Sequence, residues 1–209
     1  MTGPATAAGV VLAAGLSSRF GGPATKLLLP YGKTTVLGAV LASAEKAGLD
    51  PVFVVIGHRG DEVRAGAGTA RARFVSCADS RLGRGASLRA GLEAVAACGA
   101  GVAVVLLGDE PGIRPEAIRA TLGAFLDARA AEPPPAVARA RYEDRPGHPV
   151  VLAREAVDRL LAGPGRVDKG AWAGLAEDPR RLEVEIEGPA PVDVDTPDDL
   201  RRALARRDR

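Results

Sequence analysis

The stretch that decides the fold is Gly9–Gly22, GVVLAAGLSSRFGG. Its first half, Gly9–Ala14, is a short apolar run closed by Gly15, the pattern of a strand buried on both faces. Its second half is a loop of small residues with one cation, Arg19. The same punctuation recurs downstream. Val52–Ile56 (VFVVI) is a β-branched run ended by Gly57, and Val102–Leu107 (VAVVLL) is ended by Gly108. Between these runs the apolar spacing becomes helical: Val36, Leu37, Val40, Leu41 and Ala44 within Thr34–Ala47, then Leu88, Leu92 and Val95 within Ser87–Ala97. A helix beginning near Pro115 and reaching about Ala130 follows, with proline at its first turn. Strands alternating with helices predict an α/β fold whose mostly parallel sheet is covered on both faces.

The second half of the chain is less regular. Arg73–Val75 reads as a weak strand of the first half. Ala136–Arg141 and Pro149–Leu152 read as strands flanking a turn at Pro146–Gly147. Glu155–Leu161 and a short piece near Trp172 read as helical, and Leu182–Ile186 alternates as a strand. Thr196 is placed to cap a last helix, with Pro197 at its first position and Asp198 and Asp199 in its first turn. That helix ends in an arginine-rich run, Arg201–Arg209, which suits a solvated face complementing the helix dipole.

Composition narrows the function classes. The chain has 209 residues, a length that suits one domain or two small ones. Lys and Arg number 28 against 26 Asp and Glu, so the near balance gives no reason to expect a nucleic-acid or membrane partner. Aromatic residues are 3%, which leaves the core to Ala, Val and Leu. Cys77 and Cys98 lack metal-site spacing and read as free thiols in a reducing compartment. No apolar run approaches the roughly 18–20 residues that span a bilayer, and Arg19 is the first basic residue, so a soluble cytoplasmic protein is expected.

Two chemical signals stand out. The loop after the first strand sits at the carboxyl end of a parallel strand, where open α/β sheets bind ligands. Its glycines would let backbone N–H groups approach phosphate oxygens. Neither the dinucleotide fingerprint GxGxxG nor a P-loop fits, because Leu27 stands where the P-loop needs its first glycine. A small-residue loop with Arg19, followed by Lys26, remains, and a structural turn is the alternative reading. The second signal is acidic. Asp109 and Glu110 follow Val102–Leu107 directly, and Asp193-Val194-Asp195-Thr196-Pro197 ends an extended stretch that places Asp193 and Asp195 on one side. Carboxylates of this kind suit Mg²⁺, which takes one or two of them plus substrate phosphates. Together the two signals point to Mg²⁺–nucleotide chemistry at phosphorus.

These residues carry a family resemblance. Leu12-Ala13-Ala14-Gly15-Leu16-Ser17-Ser18-Arg19-Phe20-Gly21 with Lys26-Leu27-Leu28-Leu29-Pro30 resembles the signature loop of the MobA-like nucleotidyltransferases, within them most closely molybdenum cofactor cytidylyltransferase. The likeness continues through Gly85–Leu92, Leu107–Pro111, Gly147-His148-Pro149 and Asp193–Leu200. It implies a single-domain, Rossmann-like three-layer fold of the nucleotide-diphospho-sugar transferase type over residues 1–209. About 1–110 would hold the nucleotide and about 111–209 the acceptor. It further implies that Leu12, Ala13, Ala14, Gly15, Ser17 and Ser87 lie at the nucleotide, and that Arg19 and Lys26 hold the triphosphate. Asp109 and Asp195 would be the Mg²⁺ ligands with Asp193 behind them, and Gly147, His148 and Pro149 would line the acceptor side, with Asp168-Lys169-Gly170 resembling a further acceptor-side block.

In the family it resembles, Leu-Ala-Ala-Gly goes with CTP and Leu-Ala-Gly-Gly with GTP, so the resemblance at Ala14 implies CTP. The implied reaction moves CMP from CTP to a phosphorylated acceptor, molybdopterin, releasing pyrophosphate. If the acceptor is such a labile pterin, handover to an apo-molybdoenzyme or its chaperone would follow. The alternatives are a guanylyltransferase or other NTP transferase of the same fold, or an inactive nucleotide-binding accessory protein. The chain departs from the family pattern in a longer spacing between Gly21 and Lys26, in Phe20 for Met, in Glu110 for the usual Gln, and in Pro146 where Arg is common. His148 reads as a structural or neutral hydrogen-bonding residue more readily than as an acid–base catalyst, His58 is less constrained still, and Trp172 reads as a packing residue.

Overall fold

A computed structural model describes residues 6–15, 25–57, 59–69, 71–163, 178 and 180–207. Among these, seven strands form one mixed sheet: β1 (Ala7–Ala13), β4 (Val52–Ile56), β5 (Arg73–Ser76), β6 (Val102–Leu107), β7 (Val137–Tyr142), β8 (Pro146–Ala153) and β9 (Leu182–Ile186). A small hairpin of β2 (Pro30–Tyr31) and β3 (Thr34–Thr35) stands apart from it. The sheet order is β5-β4-β1-β6-β8-β7-β9. The pairs β1–β4, β1–β6, β4–β5 and β7–β9 are parallel, while β8 runs antiparallel to both β6 and β7.

The helices are α1 (Val36–Lys46), α2 (Gly60–Gly66), α3 (Arg84–Ala97), α4 (Pro115–Ala128), α5 (Arg154–Ala162) and α6 (Pro197–Arg207). Side chains alternate across β1 as the pleat requires. Ala8 and Val10 face one buried cluster with Leu92 of α3 and Val157 of α5; Val11 and Ala13 face another with Leu37 of α1 and Phe125 of α4. The result is the three-layer α/β arrangement expected for a sheet apolar on both faces. No helix among the described residues is long and apolar enough to cross a membrane.

The expected strands of the first half hold, β4 and β6 to the residue, and in the second half β9 also matches to the residue. Two expectations are corrected. Pro146 and Gly147 are not the turn but the start of β8; the chain reverses at Glu143–Arg145, closed by Tyr142 N–H donating to Arg145 O at 3.0 Å. The extended stretch ending at Asp195 is not a sheet strand: residues 187–195 form a loop. Pro189 and Pro191 lack the N–H groups a ladder would need there. The short helical piece near Trp172 lies outside the described residues.

Topology fixes where a ligand can sit. From β1 the sheet grows outward through β4 and β5, and the chain then crosses to the other side of β1 as β6. The ends of β1 and β6 therefore adjoin at the reversal of strand order, the crevice where open α/β sheets bind ligands. Gly108 N–H donates to Leu12 O at 3.0 Å. A Cβ on Gly108 would stand 3.1 Å from that same oxygen, so only glycine fits without a shift.

Candidate active site

Three segments meet at this crevice. The first is the end of β1. Ala13 and Ala14 are buried, and Gly15 is exposed with open space where a Cβ would be. The second is Asp109, directly after β6. The third is the loop before α6, drawn in because Val194 is fully buried beside Tyr31, Val36 and Ala203 and its N–H donates to Asp109 O at 2.9 Å. Tyr31 of the β2–β3 hairpin donates its hydroxyl to Ala203 O at 3.3 Å, which fastens the hairpin to α6. Packing of that small cluster carries Lys26, on the 3₁₀ turn just ahead of the hairpin, toward Asp195.

Lys26 is the centre of the arrangement. Its Nζ donates to Asp109 Oδ2 at 2.7 Å and to Asp195 Oδ1 at 2.6 Å, and the residue is only 7% exposed. Burial opposes its charge, but the two carboxylates outweigh burial and hold its pKa above the ordinary lysine value. Residues separated by 83 and 169 positions thus converge on one ammonium group.

The loop into α6 is held by a reciprocal cap. Thr196 Oγ1 accepts from Asp199 N at 3.3 Å, while Asp199 Oδ2 accepts from Thr196 N at 2.8 Å, from Thr196 Oγ1 at 2.8 Å and from Asp195 N at 3.2 Å. Arg202 pairs with the other oxygen of Asp199. These contacts hold the Asp199 carboxyl at about 2. A cavity of about 510 Å³ opens beside Asp195, walled by Asp144, Arg145, Asp193, Asp199, Arg202 and Arg206.

Asp193 takes different partners from Asp195. Its carboxylate stands 3.6 Å from Arg145 and faces the carboxyl of Glu110. Burial and that neighbouring acid push Asp193 up to about 6, against the pull of Arg145 and His148. Glu110 is 1% exposed. His148, at the start of β8, turns Nδ1 toward Glu110 Oε2 at 3.4 Å, while Tyr142 donates its hydroxyl to His148 O at 2.7 Å. Gly147 packs on the Tyr142 ring, where a Cβ would come within 3.2 Å.

The structure thus brings together Lys26, Asp109 and Asp195 beside Leu12, Ala13, Ala14 and Gly15, and sets Gly147, His148 and Pro149 behind Glu110. Ser87 lies buried in the first turn of α3, which packs on β1 and β4. Ser17, Arg19 and the block Asp168–Gly170 lie outside the described residues, as does His58. Tyr142 carried no signal in the sequence, because its role depends on a hydroxyl reaching across the β7–β8 turn.

The donor set fits a divalent cation. Two carboxylates from different segments already share one positive charge. Oxygen ligands of this kind leave room for water and phosphate oxygens around Mg²⁺ or Mn²⁺. Among the described residues no group of three or more His, Cys, Asp or Glu side chains forms a closed metal cage.

Comparison with known proteins identifies the family. Residues 9–182 match the family model of the MobA-like NTP transferase domain. The chain is 35% identical to Rv0371c from Mycobacterium tuberculosis H37Rv, with a TM-score of 0.78 over 98% of this chain and 100% of that one. A structure of Rv0371c in complex with manganese aligns with a TM-score of 0.72 at 35% identity over 96% of this chain and 98% of that one. A nucleotidyl transferase from Methanothermobacter thermautotroptrophicus shares 26% identity over 96% of this chain and 97% of that one, with a TM-score of 0.75. Among curated relatives, 2-C-methyl-D-erythritol 4-phosphate cytidylyltransferase of Cereibacter sphaeroides is 36% identical over 150 residues, 69% of this chain and 65% of that one. The match to Bifunctional protein GlmU of Solibacter usitatus, 36% identical over 61% of this chain, spans about a quarter (26%) of that longer protein. With the family model covering residues 9–182, most of its length, the chain belongs to the MobA-like NTP transferase family.

Proposed function

We propose that this protein is a divalent-metal-dependent nucleotidyltransferase that moves CMP from CTP to a phosphorylated small molecule of the molybdopterin type and releases pyrophosphate. The single observation that carries the reading is Lys26 held between Asp109 and Asp195 at the strand-order reversal. Ala14 in Leu-Ala-Ala-Gly supports CTP as the donor. The cytidylyltransferase among the relatives and the manganese complex of Rv0371c support the base and the metal class. Residues 1–110 supply the nucleotide side and 111–209 the acceptor side.

The acceptor phosphate is already a competent nucleophile near neutral pH, so no residue is required as general base. What the reaction needs is neutralisation of charge on the triphosphate and alignment for in-line attack. Asp109 and Asp195 would hold Mg²⁺, which when bound supplies Lewis-acid stabilisation of the phosphate oxygens. With Asp109 and Asp195 holding the metal, Lys26 would face the triphosphate, and with Arg19 it would stabilise the charge that grows on the departing pyrophosphate. The main-chain groups of Leu12–Gly15, at the end of β1, lie along the base.

Thermal-shift binding of CTP, GTP, ATP and UTP, each with and without Mg²⁺, tests the reading. A nucleotide at about 100 times its dissociation constant stabilises the fold by about 2.7 kcal/mol. A Mg²⁺-dependent shift with CTP alone is expected. A shift with GTP instead overturns the base assignment, and no shift with any nucleotide overturns the enzymatic reading.

A further inference from the structure

Glu110 is the most deeply buried ionisable side chain among the described residues, and its Oε2 meets no hydrogen-bond partner. A buried carboxylate oxygen without a donor is costly. It is also too deep to touch a substrate. The Asp193 carboxyl faces Glu110 from the loop before α6, and the His148 ring faces it from β8, with Nδ1 3.4 Å from Oε2. The ring is held from behind: the His148 carbonyl accepts the Tyr142 hydroxyl, and Gly147 packs against the Tyr142 ring. The two imidazole nitrogens diverge, so Nε2 is directed away from the buried acid. The His148 side chain is 22% exposed, which makes its outer edge the part that can meet a ligand.

We propose that Glu110 is a positioning residue that fixes His148 with its Nδ1–H toward the buried carboxylate, and so presents Nε2 to the phosphorylated acceptor. The inference rests on the acceptor side lying where the functional reading puts it. Toward the acceptor, Glu110 acts through the ring. An imidazole whose Nδ1–H is bonded to a carboxylate has a fixed orientation and tautomer, and its second nitrogen becomes a directed hydrogen-bonding atom. A glutamine at this position could accept from Nδ1–H through its amide oxygen. The interaction therefore needs an acceptor atom at this depth and not a negative charge as such.

The chain has two histidines, His58 and His148, so ¹⁵N-histidine labelling with a His58→Asn control assigns the signals directly. Long-range ¹H–¹⁵N spectra of the intact protein are expected to show His148 protonated at Nδ1. Glu110→Gln should preserve that state. Glu110→Met, which removes the acceptor but keeps the volume, should move His148 to the ordinary Nε2–H tautomer or to an averaged signal. A bare Nδ1 in the unaltered protein, or an Nδ1–H that survives Glu110→Met, overturns the proposal. Transfer kinetics with molybdopterin then read the consequence. Glu110→Met and His148→Ala should each raise the acceptor KM on the order of tenfold, leave the CTP KM unchanged, and add nothing to each other in the double variant. Equal losses in CTP and acceptor KM, or full additivity, count against it. Absence of transfer in the unaltered protein would refute the functional reading and leave the spectra to decide the Glu110–His148 pair.

Discussion

At the scale of single residues, Lys26 does two jobs that can be separated. It is the shared donor to Asp109 and Asp195 in the free protein, and in the proposed reaction it turns to phosphate once those acids are otherwise engaged. Lys26→Met leaves two carboxylates facing one another with their shared donor removed. Loss of a partner from hydrogen-bonded charged groups costs on the order of 1–3 kcal/mol, and the partial exposure of both acids keeps the loss at the lower end. Mg²⁺ or Mn²⁺ should restore that stability, and should raise Tm more in Lys26→Met than in the unaltered protein, where the ammonium competes for the same oxygens. Equal metal-induced shifts in calorimetry would show that Asp109 and Asp195 do not form a shared cation site. Asp109→Ala should lower kcat roughly 100–1000-fold, as loss of one preorganised charge-stabilising group does; near-normal turnover would remove Asp109 from the metal assignment. These three residues were legible because each lies in a short local pattern: a strand-ending Gly-Asp, a Lys after a glycine-rich loop, an acid before a Thr-Pro helix start. The burial of Glu110 was not legible. It depends on Tyr142, His148 and Asp193, which reach it from distant parts of the chain.

At the scale of elements, two local devices hold the site's frame. The first is the cap of α6. Asp199 titrates near 2 in the folded protein, below the ordinary aspartate value. A lowered folded pKa means stability that is present above the ordinary value and lost as pH falls toward 2. Asp199→Asn should therefore cost about 1 kcal/mol at pH 6, and the gap to the unaltered protein should close between about pH 4 and pH 2. A gap independent of pH in urea titrations would mean that the charge plays no part in the cap. The second device is Gly91 on α3. A Cβ there would sit 2.4 Å from Val10 Cγ1 of β1 and 3.0 Å from Val55 Cγ2 of β4. Both neighbours are stiff at χ1, so Gly91→Ala should destabilise by about 1–3 kcal/mol despite its better helix propensity. A stabilised variant would show that α3 can lift off the sheet without loss. Strand ends were readable wherever a β-branched run met a glycine, as in β4 and β6. The β7–β8 turn was misplaced because its stabilising contacts are not local. Glu143 and Asp144 accept from Gly188 N at 3.0 Å and Ala190 N at 2.8 Å, across the sheet edge. Pro146–Gly147, the stronger turn signal by composition, is instead absorbed into β8.

At the scale of the molecule, the boundary between the proposed nucleotide and acceptor sides runs through the middle of the sheet. β6 ends at Leu107 and belongs by sequence to the first half. Along its length it pairs with β1 on one side and with β8 of the second half on the other. Both buried clusters also cross the boundary: Val105 packs in the same cluster as Val137 and Leu152, and Val104 in the same cluster as Ile118, Phe125 and Val151. Separating the halves would expose one flank of β6 and open two apolar faces at once. Neither half has a closed core of its own, so the chain should unfold as one cooperative unit. Native-state hydrogen exchange reads this directly. Amides of Val10, Val104 and Val151, in β1, β6 and β8, should exchange only through global opening, with one free energy and one denaturant dependence. Two distinct sets, one for each half, would contradict it. The consequence reaches the site itself. Asp109 follows the strand that both halves share, and Asp195 is tied to it by the Val194–Asp109 backbone bond. The two carboxylates therefore cannot drift apart by a hinge between the halves.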